Sequence, residues 1–210
     1  VTANSGSGAG IGGGENGDNG TFSTGENGRA VIIASSISDS NTTDDWDGVI
    51  FQDKTGAVYG TNIAPIEDFT ISEEYELTIE EGQTLTISEG ITLTNDGTIA
   101  VNDGGALVNQ GTITGSGKIQ LNGGSTVQTG DGPEITVGED TAGATAGNDG
   151  SVTLPNGGSV VIGSGDDTTT ITPPSGQPVT PNGDGSVTIP GGSTAQTGPG
   201  PEIPLGEDTT

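Results

Sequence analysis

The chain has 210 residues, of which 27% are hydrophobic, 3% aromatic and 41 are glycine. Soluble domains usually carry ~45–50% apolar residues with glycine counted in, so a large round core is excluded and a thin core drawn out along an axis is favoured. Twenty-nine carboxylates face three cations, Arg29, Lys54 and Lys118, and a formal charge of −26 excludes partnership with nucleic acid or an anionic membrane. Cysteine, histidine and methionine are absent, which removes disulfides and thiolate metal sites. Without methionine, the chain is expected to be a processed product or a piece of a longer protein. No stretch approaches the ~18 apolar residues of a membrane span, and no basic-apolar signal peptide is visible.

Residues 1–30, "VTANSGSGAGIGGGENGDNGTFSTGENGRA", are glycine-rich and of low complexity, a composition that alone reads as an arm. Within it Gly8, Gly10 and Gly13 fit G-x-G-x-x-G, but the strand before and the helix after that a dinucleotide loop requires are missing. Residues 31–70 repeat least and hold most aromatics, Trp46, Phe51, Tyr59 and Phe69 among them. There "DDWDGVIFQDKTGAVYG" predicts two strands around the corner "QDKTG", an irregular coil or insertion.

From Leu77 onward, short phrases follow one another: "LTIEEG", "LTISEG", "ITLTNDG", "TIAVNDG", "ALVNQG", "TITGSG", "IQLNGG", "TVQTGDG". Apolar and small polar residues alternate, as in Leu77 and Ile79, Leu85 and Ile87, Ile91 and Leu93, Ile99 and Val101. Period two with β-branched residues predicts strands. Gly90, Gly97, Gly104 and Gly111 close phrases at seven-residue intervals. Hairpins want longer strands and reversing two-residue turns; short strands joined by bends suit a stacked coil. The predicted fold is all-β, a parallel β-helix or β-solenoid, expected right-handed, with about three short strands per coil, regular over residues 71–140. Asn95, Asn102 and Asn109 at the corners are expected to form a side-chain amide ladder.

Residues 141–210 are richer in glycine, threonine and proline and predict looser coils. "GGSTVQTGDGPEITVGEDT" at 123–141 returns as "GGSTAQTGPGPEIPLGEDT" at 191–209, and "DGSVTLPNGGS" at 149–159 as "DGSVTIPGGS" at 184–193. Pro173, Pro174, Pro178 and Pro181 fall between, where proline breaks a ladder or takes an edge.

"SGAGIGGGENGDNGTFSTG", "AVIIASSISD", "WDGVIFQDKTGAVYG" and "DFTISEEYELTIEEGQTLTISEGITLTNDGTI", in that order, resemble the repetitive β-helix surface proteins of Gram-positive gut bacteria, a group described as carbohydrate-binding-domain-containing or pectate-lyase-like. The likeness covers roughly residues 6–160. It implies an extracellular, surface-displayed parallel β-helix, and a glycine-rich N-terminus wound as a tight coil. It implies little about activity, because one fold carries many functions.

Lyases of that fold use a basic residue against an acidic substrate, and Arg29, Lys54 and Lys118 lie in three separate segments. Glycoside hydrolysis needs paired carboxylates; Asp44 with Asp45 and Asp166 with Asp167 supply them by sequence adjacency, which is common in so acidic a chain. The expectation is therefore no enzyme. Calcium is the one cofactor the residues support, through oxygen ligands in bendable loops, with Asp44, Asp45 and Asp47 the foremost set and Glu15, Asp18, Asp166 and Asp167 secondary. Trp46, with Tyr59 beside it, is the one candidate platform for stacking a glycan; the competing expectation is that Trp46 caps the thin core. The function expected is a rigid extracellular rod, either a stalk or adhesin segment of a larger surface protein or a subunit that self-associates head-to-tail into a filament, with a carbohydrate-binding module as the alternative.

Overall fold

A computed structural model of the chain describes residues 2–3, 11, 22–24, 28–37, 46–155, 157–163 and 168–206. All of their regular structure is strand. With no helix among them, none is long and apolar enough to cross a membrane. The early strands are β1 (Thr2–Ala3), β2 (Ala30–Ala34), β3 (Gly48–Gln52), β4 (Thr55–Tyr59) and β5 (Asn62–Ile63). A regular series follows: β6 (Phe69–Ile71), β7 (Glu76–Ile79), β8 (Thr84–Ile87), β9 (Thr92–Asn95), β10 (Thr98–Val101), β11 (Ala106–Asn109), β12 (Thr112–Thr114), β13 (Lys118–Leu121) and β14 (Thr126–Thr129).

In the regular series every third strand pairs in parallel, so the chain winds as a β-solenoid of about four turns with three strands to a coil. Leu77, Ile99 and Ile119 are register partners, as are Ile79, Val101 and Leu121 on the same strands. Leu85, Leu107 and Val127 form a second pair of contacts, and Phe69, Leu93 and Ile113 a third. Each strand points alternate residues inward because side chains alternate across a strand, and the inward set is buried, most of it completely. Parallel strands lie ~4.8 Å apart, so each aliphatic side chain rests on its counterpart in the next coil.

The seven-residue glycine beat has two physical origins. Gly90 and Gly104 turn their corners at φ +81° and +69°, a region that L side chains disfavour. Gly97 and Gly111 have ordinary φ but no room: a Cβ on Gly97 would lie 2.3 Å from the Tyr75 carbonyl and 2.4 Å from that of Ser72, and one on Gly111 would meet Ser88 and Ile91 in the same way. The ladder expected of Asn95, Asn102 and Asn109 does not form, because they stand at three successive corners of one coil; Asn102 joins the next coil, with Asn122 Nδ2 donating to Asn102 Oδ1 at 2.6 Å while Asn102 Nδ2 donates to Glu80 Oε2 at 2.9 Å. Asn95 and Asn109 instead end their strands on the inward side and are buried. Asn95 Nδ2 there caps the Lys118 carbonyl at 3.1 Å.

Below the regular coils, β3 and β4 form a hairpin around Asp53, which takes φ 56°. β4 joins the solenoid by pairing in parallel with β7, and β5 by pairing with β8. β2 and β1 extend the first sheet further.

Above Thr129 the strands change direction. β15 (Ile135–Val137), β16 (Ala144–Ala146), β17 (Val152–Thr153), β18 (Val160–Ile162), β19 (Thr169–Thr172), β20 (Pro178–Pro181), β21 (Val187–Thr188), β22 (Thr194–Thr197) and β23 (Ile203–Pro204) all pair antiparallel. Hairpins alternate between the two sheets inherited from the solenoid, while the third sheet ends at β12. The reversal begins at "TGDGPE", where Gln128 Nε2 reaches the Gly132 carbonyl at 2.9 Å and Gly130 adopts φ 54°. The returning motif does the same: Gln196 Nε2 meets the Gly200 carbonyl at 2.7 Å and Gly198 adopts φ 53°. The two "DGS" corners match as well, with the hydroxyls of Ser151 and Ser186 each donating at 2.6 Å to Asp149 and Asp184 and holding both carboxyls below the usual range. Pro178 and Pro181 stand at the two ends of β20, and the residues between them, Val179 above all, carry the buried contact.

Replacing Gly97 by Ala is expected to cost about 3 kcal/mol, because two main-chain carbonyls must move. Gly90→Ala is expected to cost only about 1–2 kcal/mol of backbone strain, with open space around its Cβ. Denaturant unfolding of the two variants side by side checks the order.

Candidate functional site

The rare residues gather where β3 is buried on both faces. Val49 and Phe51 of that strand face the main core, and Ile50 faces a second cluster with Ile32 and Trp46. Trp46 is 6% exposed. It packs edge-on against Phe22, with centroids 5.5 Å apart at 85°, and against Tyr59, 5.0 Å apart at 69°. Such contacts contribute ~0.5–1.5 kcal/mol each beyond the area they bury. The residue singled out as a glycan platform thus sits inside a cluster, with its Nε1 buried and unpartnered. Tyr59 is half-buried, and burial pushes its phenol above the ordinary range.

Asp47 works as a staple. Its Oδ2 accepts from the Gly28 amide at 2.8 Å, its own amide donates to Thr24 Oγ1 at 2.5 Å, and that hydroxyl donates back to the Asp47 carbonyl at 2.8 Å. Gly60 leaves the space its Oδ1 occupies, since a Cβ there would lie 2.1 Å away. Asp44 and Asp45, the other two candidate calcium ligands, lie outside the described residues, as do Glu15, Asp18, Asp166 and Asp167. Among the described residues no three carboxylates converge.

Of the three cations, Lys54 pairs with Glu74 across the surface. The shared hydrogen bond raises the lysine and lowers the carboxyl. Lys118 is exposed on β13. Arg29 stands at the mouth of a cleft of about 570 Å³, between Ala30–Ile33 of β2 and residues 66–72. Its walls are apolar (Val31, Ile33, Phe69 and the 59% exposed Ile66) and its rim carries Glu67, Asp68, Thr70 and Ser72.

The cleft follows from the winding. The amide of Ala64, just past β5, donates to the Gly28 carbonyl at 2.8 Å, so Gly28 underlies the second sheet. From there one residue, Arg29, leads straight into β2 of the first sheet, whereas the coil above spends residues 64–75 on the same passage and builds β6 in it. Among the described residues β6 therefore has a ladder on one side only, with β9. Residue types gave no notice of this feature; its one sequence trace is an apolar Ile66 beside the acidic pair Glu67 and Asp68.

No family model, curated protein or solved structure matches this chain. What the geometry defines is a class, a β-solenoid with a clustered aromatic base and a lateral cleft beside β6.

Asp47→Ala, which leaves the Gly28 amide without its acceptor, is expected to destabilise by about 1–3 kcal/mol, and Asp47→Asn by less because an acceptor remains; thermal melts of both check this. Tyr59 is held neutral by burial, so the stability it adds is full below the unfolded phenol pKa of ~10. That stability is lost as pH rises through the higher folded value. Melting temperatures measured on either side of that range should fall less in Tyr59→Phe than in the parent chain.

Proposed function

We propose that this protein is a non-enzymatic structural rod of the cell exterior, a stalk or adhesin segment of a surface protein or a subunit that adds end to end into a filament. The observation that supports it is one unbroken sheet: eleven strands, from β1 to β21, hydrogen-bonded in sequence. At ~4.8 Å per strand this gives a rod on the order of 50 Å long. Bending it requires prying apart stacked side chains in every column at once, so length and stiffness come together. The −26 charge keeps such rods apart sideways, which leaves their ends as the favoured contact. Surface display rests on the resemblance of the N-terminal and central phrases to Gram-positive β-helix proteins and on a composition with almost no lysine. The carboxylates of Asp44 and Asp45 support calcium as a ligand of the acidic segment that ends at Asp47, whose Oδ2 already accepts from the Gly28 amide.

Small-angle scattering of the purified chain is expected to report an elongated particle with a maximum dimension at or above that ~50 Å rod length. A compact, near-spherical particle ends the reading. Light scattering over a concentration series, with and without Ca²⁺, separates its two forms: growth in mass at constant cross-section supports the filament, and a constant mass leaves the stalk.

A further inference from the structure

The cleft beside β6 has the dimensions and chemistry of a missing strand. The next two coils place the short strands β9 and β12 at this corner, in parallel register with β6. Among the described residues, the passage from Gly28 to β2 below β6 supplies only Arg29. Within a strand the N–H and C=O of a residue point to the same edge and alternate along the chain. The Ile71 carbonyl accepts from the Asp96 amide, on the β9 side. Thr70 therefore turns its N–H and C=O the other way, toward the cleft. Phe69 and Ile71 face inward and are buried, Thr70 faces out, and Val31, Ile33 and Ile66 form apolar footing along the groove.

We infer that this groove takes up an extended peptide segment of a basic partner protein as an added strand of the third sheet, parallel to β6. Main-chain bonds to Thr70 give the affinity, and alternate apolar side chains enter between Ile66 and the β2 residues. Charge selects the partner. Glu67 and Asp68 on the rim outnumber Arg29 at the mouth, the whole chain carries −26, and a second copy of this chain would bring the same excess of negative charge. A strand whose outward positions are Lys or Arg is drawn in by the same field that repels the copy. This inference is independent of the rod's end contacts, because the groove opens on the side of the solenoid.

The test uses the full chain and a short fluorescein-labelled peptide in which valine alternates with lysine, followed by fluorescence anisotropy. Two variants leave the core in place: Ile66→Asp at an exposed position, and Thr70→Pro, which removes an amide hydrogen that β9 does not use. Both should melt as the parent does and bind the peptide roughly tenfold more weakly. The same peptide N-methylated at alternate backbone nitrogens, or carrying glutamate for lysine, should lose binding to the parent by a similar factor or more. Equal binding to parent and variants, or equal binding of the N-methylated peptide, means that the acidic surface alone captures the lysines and overturns the inference. Self-association that Ile66→Asp abolishes and the peptide does not displace assigns the groove to a second copy and overturns it equally. If both variants melt early, protection of the Thr70 amide from hydrogen exchange in the parent on adding the peptide decides the matter, and no protection overturns it.

Discussion

Registered stacking is the constraint from which the rest of this structure follows. Each inward side chain of a coil must sit on the corresponding side chain of the next, ~4.8 Å away. A column such as Leu85, Leu107 and Val127 fills itself, so a core can be completed with few apolar residues per coil. Aliphatic side chains fill most of these columns, and Phe69 is the one ring that begins a column of the described regular coils, beneath Leu93 and Ile113. The other described rings gather near the base, where Phe22, Trp46 and Tyr59 form one cluster and Phe51 packs against Tyr75 in another. The irregular winding there and the aromatic residues are two aspects of one fact.

Period-two alternation was enough to find the strands of the regular coils, because a one-residue slip would turn every Leu and Ile to solvent. One detail shifted: Leu93 faces inward together with Asn95, while Ile91 sits half-buried at the corner before β9. The change to antiparallel pairing beyond Thr129 was not legible. Inward and outward residues alternate identically in parallel and antiparallel strands, so the hydrophobic pattern carries no direction. Direction is set in the turn, by Gln128 bonding to the Gly132 carbonyl, and a glutamine in a threonine-glycine phrase does not announce that role. The return of that phrase at Gln196, with Ala195 for Val127 and Pro199 for Asp131, uses the same turn a second time.

The functional residues were harder to read for a related reason. Rarity drew attention to Trp46 and to the aspartates before Gly48, yet in this fold a lone tryptophan is rare because the core has little room for one, and Asp47 is spent on Gly28 and Thr24. The cleft came from something no residue type encodes, the omission of a strand between Gly28 and Ala30. Its lining of Val31, Ile33 and Phe69 is the ordinary inner face of two coils, left half-open where the third side of the triangle was skipped.

The same stacking connects two features of composition that look unrelated, the abundance of glycine and of carboxylates. A Cβ added to Gly104 would lie 2.8 Å from Glu81 Cγ, and one on Gly124 would lie 1.9 Å from Asp103 Oδ1. Each acid therefore leans from its own coil onto the glycine of the next. Asp96 does likewise, reaching over Gly115 to accept from the Ser116 amide at 3.2 Å. Asp47 lies against Gly60 in the same manner. Glycine at these corners thus opens space for a neighbour's carboxylate, and the carboxylate, tilted across the coil boundary, keeps its charge in water. A corner alanine would push that acid onto its own column, where Glu81 and Asp103 already occupy equivalent places and like charges repel. At Gly60, Gly104, Gly115 and Gly124, glycine is what gives the neighbouring coil's carboxylate its place.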